Sequence, residues 1–312
     1  MAWKHKDLLG LQSLTKEELQ LLLDTAEPCK EILQRPIKKV PTLRGKVMVN
    51  LFYEPSTRTR TSFELAGKWL SAEVVNLAVA TSSVQKGESF TDTAKTIEAL
   101  GANFVVIRHN VAGSAHLLAK TVSARVINAG DGFHEHPTQG LLDLFTIREH
   151  KGQIEGLQVA IVGDIRHSRV ARSNIWGLTK LGAQVTVVGP ATLIPPEIEA
   201  LGVQVSHDLD QVLPHMDVII LLRIQRERQT AGLFPSFKEY AELYGMNSQR
   251  LERARADALI MHPGPANLGV EITNDVAEDP RAVITEQVTN GVAVRMAVLY
   301  LLSGGETDEF IN

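Results

Sequence analysis

The stretch Val47-Met48-Val49-Asn50-Leu51-Phe52-Tyr53-Glu54-Pro55-Ser56-Thr57-Arg58-Thr59-Arg60-Thr61-Ser62 decides the reading of this chain. Its opening five residues form a short apolar run that predicts a buried strand. Its end leads into a helix that carries Phe63, Ala66, Gly67 and Leu70 on one face. Strand, polar loop and helix in that order make half of a βαβ unit. The signature recurs outward along the chain: runs rich in Val and Ile at 104–107, 125–128, 159–162, 185–188, 218–222 and 258–261 read as further strands, with helical stretches between them. Seven strands alternating with helices predict an α/β protein of two doubly wound parallel sheets, each covered on both faces. The seam falls in a helix from Thr138 to about Lys151, dividing residues 1–137 from a second domain at 138–286. Upstream, Thr15-Lys16-Glu17-Glu18 has the pattern of a capping box that opens a helix.

Composition fits this reading and excludes others. The 312 residues are 44% hydrophobic and 22% charged, so the chain can bury a large core without disulfides or a structural metal. Its single cysteine, Cys29, lies in an ordinary helical stretch and allows neither an internal disulfide nor a cysteine-rich metal site. A net charge of −4 argues against a general binder of nucleic acid or anionic membrane. No apolar run approaches the ~20 residues of a membrane span, and Met1-Ala2-Trp3-Lys4-His5-Lys6 leads into no signal-length segment. The expectation is a soluble, cytoplasmic protein.

The polar residues that matter sit at strand ends, where open α/β sheets bind ligands. Ser56 through Thr61 places six hydroxyl and guanidinium side chains in a row at a helix N-terminus, more than one N-cap requires. Unpaired N–H groups there and the planar fork of Arg58 suit phosphate oxygens. Arg108 closes another strand, and Arg169 and Arg223 follow two more. Arg223 and Gln225, two apart, share a side if the extended geometry continues. His134-Glu135-His136 invites a metal reading, but Pro137 breaks the segment at once and the zinc-protease spacing is absent, so no metal is expected. His136 and Gln139 at a helix entrance can instead bond a carbonyl and an amide. The loop after the strand at 159–162 lacks G-x-G-x-x-G and carries arginines, which disfavours a dinucleotide. In His262-Pro263-Gly264-Pro265, two prolines and a glycine fix an irregular loop with carbonyls open to a ligand. Thr81-Ser82-Ser83-Val84-Gln85-Lys86 reads by itself as a polar surface loop. Together these residues describe a pocket for a phosphorylated small molecule beside a dicarboxylate, with direct transfer between the two.

Ser56-Thr57-Arg58-Thr59-Arg60 resembles the carbamoyl-phosphate signature of the aspartate/ornithine carbamoyltransferase family. His136-Pro137-Thr138-Gln139, Val162-Gly163-Asp164, the run Arg223 to Arg228 and His262-Pro263-Gly264-Pro265 follow in family order and spacing, so the resemblance covers nearly the whole chain. The Ser-Met-Gly and His-Cys-Leu-Pro segments of ornithine-specific members are missing, and the aspartate-type Arg223-x-Gln225 pair is present. The resemblance implies the transcarbamylase fold, with two crossing helices joining the domains and a C-terminal helix, 287–312, completing the first. It implies transfer of a carbamoyl group from carbamoyl phosphate to the α-amine of L-aspartate, without metal or organic cofactor. Ser56, Thr57, Arg58 and Thr59 would then hold phosphate. Thr59, Arg108 and His136 would polarise the carbamoyl oxygen, and Gln139 with Gly264 and Pro265 would hold its nitrogen. Arg169, Arg223 and Gln225 would bind aspartate. Ser82 and Lys86 would come from the neighbouring subunit of a homotrimer, to which regulatory chains or a dihydroorotase could be added. Arg166, His167 and Leu268 stand where the family pattern gives no assignment.

Overall fold

The computed structural model describes residues 3–78, 89–224 and 236–305; Ser82, Lys86 and Gln225 therefore lie outside the described residues. The chain forms two compact units, Met1–Leu142 with Val288–Asn312, and Asp143–Gln287. Both crossings run through helices, α5 (Pro137–Lys151) and α11 (Ile284–Leu302). The division thus falls inside α5, after Leu142 rather than after 137, and inside α11. On the last helix, Val292, Met296 and Leu299 are buried, whereas Val288 is exposed.

The first unit opens with α1 (Lys16–Gln34), started by a complete capping box: Thr15 Oγ1 accepts from Glu18 N, and Thr15 N donates to Glu18. Four parallel strands follow, β1 (Val47–Phe52), β2 (Glu73–Ala78), β3 (Phe104–His109) and β4 (Arg125–Asp131), in the order β2-β1-β3-β4. Helices α2 (Thr57–Trp69), α3 (Phe90–Ala99) and α4 (Ser114–Thr121) connect them. Val49, Leu51, Val105, Ile107 and Val126 pack against Ala94, Ile97, Ala115 and Leu118 of α3 and α4. That burial explains why the central strands are continuous apolar runs.

The second unit holds β5 (Gln158–Val162), β6 (Gln184–Val188), β7 (Gln204–Ser206), β8 (Val218–Leu221) and β9 (Leu259–Met261), all parallel, in the order β7-β6-β5-β8-β9. Its helices are α6 (Arg169–Lys180), α7 (Leu209–Val212), α8 (Phe237–Tyr244), α9 (Ser248–Arg253) and α10 (Asn274–Ala277). The two strands not anticipated, β2 and β7, are edge strands whose residues are largely half-buried or exposed, so neither forms an apolar run. Among the described residues no helix is long and apolar enough to cross a membrane.

Candidate functional site

Both sheets reverse direction of growth once. In the first unit β2 lies on one side of β1, while β3 and β4 lie on the other. In the second, β6 and β7 lie on one side of β5, while β8 and β9 lie on the other. Loops leaving the two strands at such a switch point part in opposite directions and leave a crevice at the strands' carboxyl ends. Ser56 to Thr59 follow β1 and Arg108 lies at the end of β3, the two strands of the first point, and Arg169 and Arg223 follow those of the second, whereas His136 and Gln139 follow β4 and Gly264 and Pro265 follow β9.

In the first unit, β1 ends at Phe52, which is in register with Arg108 at the end of β3. Tyr53 N donates to Arg108 O at 2.8 Å, which ties the two ends together. Ser56 caps α2 by accepting from Thr59 N; Thr57 and Arg58 are exposed at the first turn, and Thr59 is buried. The Arg108 guanidinium donates to Glu54 at 2.7 Å and to Ala129 O at 3.2 Å, so it is held at the carboxyl end of β3 rather than released to solvent. β4 then leads to His136 and Gln139, both buried at the entrance of α5, and Gln139 N donates to His136 O. Sequence reasoning gave no role to Glu54, whose spacing carries no signal for its contact with a residue on another strand.

The His134-Glu135-His136 triplet does not converge. Glu135 is buried and accepts from Leu11 N and Gln12 N, and His134 turns to Asp131. Burial pushes the Asp131 carboxyl up, but hydrogen bonds from His134, Asn128 and Gly113 outweigh it and hold the group below its ordinary range. His109, stacked near Tyr53 and Phe90, is pushed down by burial against the opposing pull of Asp131 and Glu54.

In the second unit, Arg169 is only 3% exposed at the first position of α6, whose cap is Ser168. Asp164, fully buried after β5, accepts from both His167 N and the His167 ring. That contact gives His167 a local structural anchor, and Arg166 N is bonded to Leu193 O. Arg223 follows β8, the other strand of the switch point. Its neighbour Ile224 donates to Glu271 Oε1 at 2.8 Å. Glu271, 1% exposed, also accepts from Asn267 N and Asn267 Nδ2, both at 2.6 Å. One carboxylate therefore fastens the Arg223 loop to the loop after β9. Burial, partly offset by those hydrogen bonds, raises its pKa. Within the loop after β9, Gly264 N donates to His262 Nδ1, and the Gly264–Pro265 bond is cis. Behind it runs a buried polar chain: His262 N to Gln287, Gln287 to Asp143, and Asn174 to Asp143. None of the contacts of Glu271 with Ile224, of Gln287 with His262 and Asp143, or of Asp143 with Asn174 carries a local sequence signal, since each joins residues far apart in the chain. Cys29 is buried, which pushes its thiol up and leaves it no nucleophile.

Two parallel α/β units, each with charged and hydroxyl side chains at the carboxyl ends of its switch-point strands, define a class of doubly wound proteins whose ligand crevices lie at those strand ends. Residues 6–149 match the family model described as the aspartate/ornithine carbamoyltransferase, carbamoyl-P binding domain, and residues 155–302 match the Asp/Orn binding domain. The chain belongs to the aspartate/ornithine carbamoyltransferase family. It is 65% identical to the aspartate carbamoyltransferase catalytic subunit of Moorella thermoacetica, over 98% of this chain and 99% of that one. It is 64% identical to the Desulforamulus reducens catalytic subunit over the full length of both. Among solved structures, the Trypanosoma cruzi aspartate transcarbamoylase in complex with carbamoyl phosphate superposes with a TM-score of 0.87 at 29% identity, covering 96% of each chain. The catalytic subunit of M. Jannaschii aspartate transcarbamoylase gives a TM-score of 0.83 at 37% identity, over 96% of this chain and 98% of that one.

Proposed function

We propose that this chain transfers the carbamoyl group of carbamoyl phosphate to the α-amine of L-aspartate, giving N-carbamoyl-L-aspartate and phosphate. The observation that carries this reading is the switch point of the first unit, where a hydroxyl-rich helix N-terminus and a tethered arginine meet at the ends of paired strands. Relatives near two-thirds identity bear the name of that activity, and the Trypanosoma relative has been captured with carbamoyl phosphate and aspartate.

In the mechanism, Ser56, Thr57 and Thr59 and the first N–H groups of α2 bind the phosphoryl oxygens. Arg58 stabilises the charge that accumulates on phosphate as it departs. Thr59, Arg108 and His136 donate to the carbamoyl oxygen, which becomes an oxyanion when the amine attacks. Gln139 and the carbonyls of Gly264 and Pro265 bond the carbamoyl nitrogen. Arg169, Arg223 and Gln225 bind the aspartate carboxylates. The amine's lone pair forms the new C–N bond, the C–O bond to phosphate breaks, and phosphate carries off the amine proton. Fixed donors and positioning supply the rate, so no covalent intermediate is needed.

The same reading makes the enzyme a cytoplasmic homotrimer of pyrimidine biosynthesis, with Ser82 and Lys86 lent to the adjacent subunit's site. Purified protein given carbamoyl phosphate and L-aspartate should release phosphate and carbamoylaspartate in equal amounts. Turnover with ornithine and not aspartate would overturn the acceptor; binding without turnover of either would make the chain an inactive anion-binding homologue. Mixing inactive Lys86→Ala and Arg58→Ala chains should restore activity in mixed trimers, and verified mixing without recovery would refute site sharing.

A further inference from the structure

Asp131 ends β4 with its carboxylate fully inside the first unit. Its Oδ2 accepts from Gly113 N at 2.7 Å, which fixes the residue that caps α4. Its Oδ1 accepts from Asn128 Nδ2 at 2.7 Å. His134 Nδ1 lies 3.2 Å from both carboxylate oxygens. His116, in the first turn of α4, sets its ring 5.5 Å from that of His134, edge to face. One ligand atom from each of His116, Asp131 and His134 lies within 4.8 Å of the other two. The same carboxylate thus orients both histidines, one by contact and one through the helix start.

From this arrangement we infer that His116, Asp131 and His134 form a binding site for a borderline divalent transition ion of the Zn²⁺ class, separate from the carbamoyl-phosphate residues. The geometry is specific. A tetrahedral zinc with bonds of about 2.0–2.1 Å has ligand edges of about 3.3 Å. The Asp131–His134 edge already has that length, so the ion would replace the proton between them. Only His116 has to close in, by a rotation of its side chain in the first turn of α4. Two imidazoles and one carboxylate select Zn²⁺ or Co²⁺ over Mg²⁺ or Ca²⁺, which prefer all-oxygen shells. The fourth position is left to water. Gly113 N and Asn128 bonds on Asp131 keep it ionised and aimed, the support that metal sites need behind their ligands. An ion here would pin α4 to the 131–136 segment that leads to His136.

The test is a titration of the chelator-treated full-length protein with Co²⁺. Wild type should take up one equivalent per chain with the intense visible bands of tetrahedral cobalt, and Zn²⁺ should abolish them. His116→Gln and His134→Gln should each weaken binding at least tenfold, while metal-free His116→Gln keeps wild-type turnover and melting temperature. Weak octahedral bands only, or a His116→Gln/His134→Gln double variant that binds Co²⁺ as wild type does, would overturn the inference. The chain has ten histidines, so the double variant also measures adventitious uptake elsewhere.

Discussion

Replacing Glu271 with alanine tests how the second unit holds its loops. The carboxylate serves three donors, and two of them, Ile224 N and Asn267 N, are backbone groups. Leaving a buried donor unsatisfied costs about 1–3 kcal/mol. Ile224 is fully buried and takes that cost in full; Asn267 is half-buried and takes less. Burial also raises the pKa of Glu271, so holding it charged offsets part of the gain. About 3 kcal/mol remains, which in a unit of this size corresponds to a fall of about 6–12 °C in melting temperature. Because Ile224 adjoins Arg223, the KM for aspartate should rise more than the KM for carbamoyl phosphate. Glu271→Gln keeps one oxygen for Ile224 but turns an amide N–H toward Asn267 N, and should fall between wild type and alanine. Differential scanning calorimetry with steady-state kinetics decides the matter. An alanine variant that melts within a degree of wild type with an unchanged aspartate KM would refute the idea that this carboxylate fastens the two loops.

Three further outcomes are expected. Arg58→Ala should lower kcat about 100–1000-fold, the loss typical of one charge-stabilising donor, while leaving the melting curve unchanged because the side chain is exposed. Gly163→Ala should lower the melting temperature by about 4–8 °C, since Gly163 has φ +129° and an added Cβ would stand 2.9 Å from Tyr240 Oη. Asp210 is held below its ordinary 3.8 by the hydrogen bonds and charge of Arg250, with Arg253 adding to it. Its stabilisation is therefore present above that value and lost as pH falls through the lower folded one. Arg250→Met should flatten this acid limb in a urea-midpoint titration against pH; an unchanged limb would assign the acid sensitivity elsewhere.

The particular residues show how far sequence reaches. The capping box of Thr15 and Glu18 is local, four residues long, and forms as read. The central strands declare themselves because they are buried on both faces, so most of their positions are apolar, with Asn50 and Thr186 the buried polar ones in β1 and β6. Edge strands β2 and β7 escape the same test because water covers part of them. Ser56 to Thr59 could be read as an anion cradle since the helix start supplies both the hydroxyls and the N–H groups. The contacts of Glu54 with Arg108, of Glu271 with Ile224 and along the Gln287–Asp143–Asn174 chain could not, since each joins residues distant in the chain.

By itself, then, the sequence determined the alternation of strands and helices, the arginine-rich strand ends and the family. These depend on residues near one another in the chain, or on patterns that burial imposes strand by strand. Only the tertiary structure decided the strand orders, and with them the two switch points that put Arg108 on the strand next to the one leading to Ser56–Thr59, and Arg169 and Arg223 after neighbouring strands. It also separated His134 from Glu135 and His136 and turned it to Asp131 and His116. The physical reason is the same in both cases. Register and crossover are set by long-range hydrogen bonding and packing, which no local stretch of residues contains.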